Sequence, residues 1–221
     1  MNTSHPFPRS IVSILAIFAA VLGLCGCLSK PPLHKQTFTF GAPPTAYGSA
    51  AAEDHVLGIR RLRIAPPFNE RSLVYRTGEF SYVRDPYAEF LDAPEEEMMA
   101  PVRGWLSKTG GFSDVVDAGS ALKPNTVVEI SLTQLYGDFR QSKHPCAVVT
   151  MHLAFLEASN GVPTRTILRQ EYSRSIPVTA PSAAALMEGW NQAFGGIFAE
   201  VAADIRRSPW NKSATALTTN K

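Results

Sequence analysis

The sequence predicts an α/β fold: a single three-layer domain with a mixed sheet, largely an antiparallel meander, flanked by two main helices. Two segments, about 94–109 and 182–207, repeat apolar residues at helical spacing. Most of the remaining body alternates apolar and polar residues with the two-residue period of strands. The chain has 221 residues, a net charge of +2 and 45% hydrophobic residues. This composition is typical of one globular domain with accessory segments and does not indicate nucleic-acid binding.

The strands follow from alternating runs separated by turn formers. Four shorter runs are predicted in "QTFTF", "VLGIRRLRI", "SLVYRTGEFSYV" and "FSDVVD". Three longer runs, "NTVVEISLTQLYGDF", "CAVVTMHLAFLEA" and "TRTILRQEYSRSI", are joined by short breaks and predict the antiparallel meander. The alternation slips near Gln134-Leu135, which indicates a bulge or a bend. The third long run is polar enough to lie at an edge or to expose one face.

The first helix has strong start and stop signals. Asp92 is placed to cap it, and Glu95 occupies the acidic position of a capping box. The three acids Glu95, Glu96 and Glu97 suit the positive end of the helix dipole, and we prefer this structural role to a metal or acid–base site. Gly110-Gly111 is expected to end the helix.

The second helix is predicted from one wide apolar stripe that runs from Leu186 to Ile205. Arg206 and Arg207 suit its C-terminal dipole, and Pro209 prevents its continuation. Between the strands, the segment "RDPYAEF" brings Asp85 close to Glu89, but its proline favours a solvated turn.

The first thirty residues differ from the rest. "IVSILAIFAAVLGL" carries no charge and leads directly into Cys25-Gly26-Cys27, which together with Leu24 resembles a bacterial lipobox. We therefore expect a lipoprotein signal peptide over 1–26, cleaved between Gly26 and Cys27, with diacylglycerol attached to the sulfur of Cys27. The alternatives are a membrane-spanning anchor, for which the uncharged run is just long enough, and a plain secreted protein. Leu28 is not the aspartate that retains such proteins at the inner membrane.

The predicted organisation is a signal peptide over 1–26, a lipid-anchored tether over 27–35, a folded domain over 36–208 and a disordered tail over 209–221. After processing, Cys146 remains as the free thiol, so neither an intramolecular disulfide nor a C-x-C metal clip is expected. No metal and no cofactor are expected.

No motif for hydrolysis, phosphate binding or dinucleotide binding occurs in the sequence, and we do not expect an enzyme. His144 and Cys146 form the one pair that invites a catalytic interpretation, but no acid lies near them in sequence. The aromatic residues Phe80, Tyr82, Tyr87 and Phe90 leave two interpretations open. They belong to the core and its edge, which we favour, or they form a surface for lipid or a partner.

Several pieces of the body resemble a known family in their order. They include Val74-Tyr75-Arg76, the segment from Phe90 to Pro94, Gly111-Phe112 and Leu135-Tyr136-Gly137-Asp138-Phe139. Together with the lipobox they resemble the ABC-type transport auxiliary lipoprotein (PqiC-like) family over essentially the whole mature domain. Relatives often carry a tryptophan before the helix proline, where this chain has Phe90-Leu91.

The resemblance implies a domain without catalytic residues that works with an ABC transporter, its permease and its ATPase, through an MCE-domain (mammalian cell entry) protein. Such systems move phospholipids or other hydrophobic compounds between the two membranes. The implied location is the bacterial cell envelope, lipid-anchored and facing the periplasm, at the outer rather than the inner membrane. A homo-oligomer is compatible with this interpretation. The alternative is an envelope lipoprotein that activates or scaffolds a cell-wall enzyme.

Overall fold

The computed structural model describes residues 35–41, 55–117 and 119–207. The predicted signal peptide, Cys27 and the tail over 209–221 lie outside these residues. In the described ranges the elements follow in chain order: β1 Gln36–Phe38, β2 Val56–Ile64, β3 Ser72–Arg76, β4 Tyr82–Phe90, α1 Pro94–Ser107, β5 Asp114–Asp117, β6 Thr126–Asp138, β7 Cys146–Ser159, β8 Val162–Pro177 and α2 Ala183–Arg207.

Strand β6 is the centre of one mixed sheet. It pairs antiparallel with β7, which pairs antiparallel with β8, so the predicted meander is confirmed. The other side of β6 pairs in parallel first with β2 and then, at its end, with β3. Strand β5 continues the sheet beyond β2, while β4 and then β1 continue it beyond β3. The register of β6 shifts between Leu132 and Gln134, which confirms the predicted bulge.

One core joins the sheet to both helices. The indole of Trp105 in α1 stacks on Phe194 and Phe198 in α2, with ring centroids 5.2 and 5.0 Å apart. These rings are almost completely buried, and each contributes about 1.5–3 kcal/mol through apolar burial. The single α/β domain with a mixed sheet and two helices is confirmed.

Helices α1 and α2 contact each other through these rings and lie on the same face of the sheet. On the opposite face, the connection between β2 and β3 covers one end through Phe68, whose ring stacks on Tyr136 at 5.8 Å. The rest of that face carries polar side chains such as Arg61, Ser131 and His152, all of them exposed. Because one face of the sheet packs on the core and most of the other face is exposed, its strands alternate apolar and polar residues.

Helix α1 begins differently from the prediction. Its N-cap is Ala93, without a side-chain cap, so the prediction of Asp92 as the capping residue is wrong. The carboxylate of Glu97 accepts the N–H of Asp92 at 3.0 Å, and that of Glu95 accepts the N–H of Ile64 at 2.8 Å. Within the first turn, Pro94 has no N–H group, and the N–H groups of Glu96 and Glu97 donate to the carbonyl of Ala93, so these donors do not need a cap from the Asp92 side chain. The helix ends at Ser107, and Gly110 has φ of 73°, as the C-terminal glycine requires.

Helix α2 matches its prediction closely. The hydroxyl of Ser182 accepts the N–H of Ala185 at 3.3 Å, and the helix ends at Arg207. Its apolar stripe packs on β7 and β8, where Trp190 donates its indole N–H to the carbonyl of Val148. In the part of the chain that the structure describes, neither helix combines the length and the apolar composition that a membrane crossing requires.

Candidate functional site

The candidate site is a run of exposed apolar side chains on and beside β4. Five large apolar residues between positions 80 and 91 are exposed, by 89% for Phe80 and by 43–59% for the other four. Elsewhere in the described ranges, large apolar residues are exposed at Leu122 and Val162. We call this run the β4 segment; its exposed members are Phe80, Tyr82, Val83, Tyr87 and Leu91. This concentration of exposed apolar side chains makes the run the candidate interaction surface of the domain.

The hairpin between β3 and β4 presents Phe80 at its tip. The N–H of Thr77 donates to the carbonyl of Ser81 at 3.0 Å, which closes the turn. The guanidinium of Arg76 donates to the carbonyl of Glu79 at 2.8 Å and lies over the Tyr82 ring at 5.9 Å. The tip is therefore held by its own hydrogen bonds while the Phe80 ring points away from the domain.

The middle of β4 is shaped by Asp85. Its carboxylate accepts the backbone N–H groups of Tyr87 at 2.7 Å and Ala88 at 3.0 Å, and it also accepts the hydroxyl of Tyr75. Burial and the neighbouring carboxylate raise the pKa of Tyr75, so its hydroxyl remains a donor. Residues 85–88 of β4 lie opposite Leu73 alone. The expected solvated turn is therefore wrong: this segment is a strand with a wide bulge that accommodates Pro86.

The outer edge of β4 is open over its first part. On one side β4 pairs with β3, and on the other β1 pairs only with Ala88, Glu89 and Phe90. Among the described residues no strand covers positions 82–87. Strand β8 has a longer open edge, but charged side chains such as Arg165, Arg169 and Glu171 protect it. The β4 edge also carries Arg84, Asp85 and Pro86, but it combines them with the exposed apolar side chains of Tyr82, Val83 and Tyr87, which is why we regard it as the functional edge.

The four aromatic residues singled out from the sequence do not form one cluster. Phe90 is buried and stacks on Phe40 at 5.2 Å and on Trp190 at 5.8 Å. Tyr82 packs partly against Tyr136, and Tyr87 is exposed. Phe90 therefore belongs to the core, whereas Phe80, Tyr82 and Tyr87 are exposed, and their contact with lipid or a partner stays a prediction.

Sequence reasoning missed two members of the β4 segment, Val83 and Leu91. Val83 follows Tyr82 directly, and neighbouring strand residues point to opposite faces. Tyr82 and Val83 are nevertheless both exposed, because the hairpin extends beyond the packed part of the sheet. No local sequence signal distinguishes such an extension from a strand with one buried face.

The chain enters the domain beside the same strand. The ammonium of Lys35 contacts the carboxylate of Glu89 at 2.7 Å, and Arg71 contacts its other oxygen at 3.0 Å. The hydrogen bond from Lys35, followed by the charge of Arg71, lowers the pKa of Glu89. The predicted tether therefore ends on β4.

The other predicted candidates do not assemble into a site. The thiol of Cys146 faces the backbone carbonyl of His144 at 3.6 Å, and His144 itself lies exposed in the β6–β7 connection. Within residues 35–41, 55–117 and 119–207, no three histidine, cysteine or acidic side chains converge as a metal site. Gly26 and Cys27 fall outside the described residues, so cleavage and lipidation there stay predictions.

Comparison with solved structures identifies relatives in fold. Protein XCC0632 from Xanthomonas campestris, of family DUF330, matches with a TM-score of 0.59 at 13% identity, over 84% of this chain and 98% of that one. The domain shares its fold with a DUF330 protein. A second structure, of an uncharacterized protein, matches with a TM-score of 0.56 at 13% identity, over 78% of this chain and 98% of that one.

A weaker match is the lipoprotein GNA1162 from Neisseria meningitidis, with a TM-score of 0.35 at 12% identity, over 67% of this chain and 98% of that one. No family model matches the chain, and no curated protein matches it. At these identities the likeness to the first two structures establishes the fold.

Proposed function

We propose that the protein is a non-catalytic, lipid-anchored auxiliary subunit of an ABC transport system that moves lipids or other hydrophobic compounds across the periplasm. In this proposal it is attached to the periplasmic face of the outer membrane and docks the transporter there through an MCE-domain protein. The observation that carries the proposal is the lipobox-like sequence Leu24-Cys25-Gly26-Cys27, joined by a short tether to a single folded domain. The ordered resemblance to transport auxiliary lipoproteins supplies the partner.

The anchor suits this role physically. One acyl chain holds a protein at a membrane only marginally, whereas several chains on one cysteine make the attachment effectively permanent. An anchored domain is confined to a thin layer, which raises its effective concentration for a partner that spans the same space. The domain then contributes position and binding surface rather than chemistry.

The proposal is tested by photo-crosslinking in the bacterium of origin. A photoreactive amino acid replaces one exposed residue at a time, including Leu122 and Val162 at one end of the sheet and Phe80 at the other. We expect the main product to contain an MCE-domain protein. Deleting the gene for that protein should remove the product while leaving the level of the auxiliary protein unchanged.

Two results would contradict the proposal. Crosslinks to a penicillin-binding protein, with none to a transporter component, would favour the alternative of a lipoprotein that activates a cell-wall enzyme. An auxiliary protein that is recovered in the soluble periplasmic fraction, without lipid, would remove the anchoring on which the proposal depends.

A further inference from the structure

We infer that the β3–β4 hairpin rests on the membrane that holds the lipid anchor, with Phe80 inserted among the phospholipids. This inference rests on the proposed anchoring through Cys27 and adds an orientation of the domain. It assigns the exposed apolar side chains of the β4 segment to a lipid surface rather than to a second protein.

The direction of β1 supplies the first argument. Strand β1 runs parallel to β4, with Gln36 opposite Ala88 and Phe38 opposite Phe90. The chain that precedes Gln36 therefore enters the sheet from the side on which β4 begins. That side is the hairpin end of the sheet, where Phe80 lies. The β7–β8 turn with Val162 is at the opposite end, because β7 runs away from the hairpin end.

The reach of the tether supplies the second argument. Eight peptide bonds separate Cys27 from Lys35, and this length of chain spans at most about 29 Å when fully extended. At about 3.3 Å per strand residue, the registers place the hairpin tip about 16 Å beyond the level of Lys35. The same registers place Val162 about 33 Å from that level in the opposite direction. A lipid on Cys27 can therefore enter a membrane that touches the tip, whereas a membrane touching Val162 lies beyond its reach.

The side chains at the hairpin end suit a phospholipid surface. Phenylalanine and tyrosine are favoured where a protein meets the boundary between headgroups and acyl chains, because the ring is apolar and the tyrosine hydroxyl remains hydrated. Phe80 is 89% exposed and Tyr82 is 43% exposed. The tip itself carries the exposed acid Glu79 and no exposed lysine or arginine between Thr77 and Ser81, so the inferred contact depends on its apolar ring rather than on a basic patch at the tip. Insertion of apolar rings is instead expected to be insensitive to salt.

The test uses the mature, lipidated protein reconstituted into vesicles of phosphatidylethanolamine and phosphatidylglycerol. An environment-sensitive fluorophore is attached to a single cysteine, in a Cys146→Ser background that removes the native thiol. Phe80→Cys reports on the hairpin tip. Val162→Cys is the matched control, because Val162 is 64% exposed and apolar but lies at the other end of the sheet.

We expect the fluorophore at position 80 to shift its emission to the blue, to brighten several-fold and to be quenched by spin-labelled lipids, also in high salt. The fluorophore at position 162 should show none of these changes. If neither position is quenched although the protein floats with the vesicles, the anchor holds and the inferred membrane contact is wrong. Equal quenching at both positions would also overturn the inference, since the domain would then have no preferred orientation.

The remaining outcomes separate this inference from the proposed function. Protein that fails to float with the vesicles contradicts the anchor itself, and the inference fails with it. A crosslink in cells from position 80 to a transporter component, without quenching in vesicles, would assign the tip to a protein partner and overturn the membrane contact while supporting the proposed function.

Discussion

Replacing Asp85 by alanine removes the acceptor that holds the bulge in β4. Three donors lose their partner: the N–H groups of Tyr87 and Ala88, and the hydroxyl of Tyr75. Water can replace the carboxylate at Tyr87, which is exposed, but less readily at Ala88, which is buried, and at the half-buried Tyr75. Two hydrogen bonds to a charged acceptor at about 1.5 kcal/mol each predict a loss of about 3 kcal/mol in the free energy of unfolding.

The assay is urea denaturation of the purified protein followed by circular dichroism, with hydrogen exchange of the Ala88 amide as a local measure. Asp85→Asn should lose about half as much stability, because the amide oxygen can still accept the two backbone N–H groups. Asp92→Ala is the matched control; since no side-chain cap is present at α1, it should change stability by less than about 0.5 kcal/mol. If Asp85→Ala unfolds at the same urea concentration as Asp92→Ala, the role assigned to Asp85 is refuted.

Two further predictions concern packing and pH. Gly189→Ala places a methyl group 2.6 Å from the Cβ of Ala147 and should lower the free energy of unfolding by about 1–3 kcal/mol. Gly196→Ala, whose new methyl meets its nearest neighbour at 3.4 Å, should raise it by up to about 1 kcal/mol. Denaturation midpoints that shift in the same direction for the two variants would contradict this. Burial and the neighbouring Asp204 raise the pKa of Tyr172, so the folded protein holds the hydroxyl proton more tightly than the unfolded chain does. The contribution of this proton to the free energy of unfolding is therefore present below about pH 10 and is lost as the pH rises above it. Tyr172→Phe should therefore lose less stability on going above pH 10 than the parent protein, and an unchanged pH profile would be evidence against this assignment.

Elements with a long, regular hydrophobic period were predictable from the sequence. The stripe of α2 from Leu186 to Ile205 and the alternation in β6 and β7 reflect side chains that face one shared core. The slip at Gln134 was readable as a bulge because buried side chains on both sides of it must return to the same face.

The shape of β4 was not predictable in this way. Pro86 lacks an N–H group, which argues against a strand. Only the structure shows that the Asp85 carboxylate accepts the N–H groups of Tyr87 and Ala88. The bulge also disrupts the simple alternation along β4. For this reason the sequence pattern could not show that Phe90 enters the core while Tyr87 faces outward.

The start of α1 illustrates a different limit. Asp92 fits the sequence signature of a capping residue, but a cap is needed only where no other acceptor or donor is available. Here the carbonyl of Ala93 accepts the N–H groups of Glu96 and Glu97. The carboxylate of Glu97 in turn accepts the hydroxyl of Thr39, and that of Glu95 accepts the N–H of Ile64. Such long-range partners depend on tertiary packing, which a local pattern does not contain.

The proposed function depends on one covalent modification, the attachment of acyl chains through the sulfur of Cys27, which would tie the domain to the envelope. This attachment is tested by labelling cells with radioactive palmitate and measuring the mass of the mature N-terminal peptide. Cys27→Ala should abolish the label and release the protein from membranes, while Cys25→Ala should do neither. A Cys27→Ala protein that still takes up palmitate, or a mature protein that retains its first twenty-six residues, would contradict the claim.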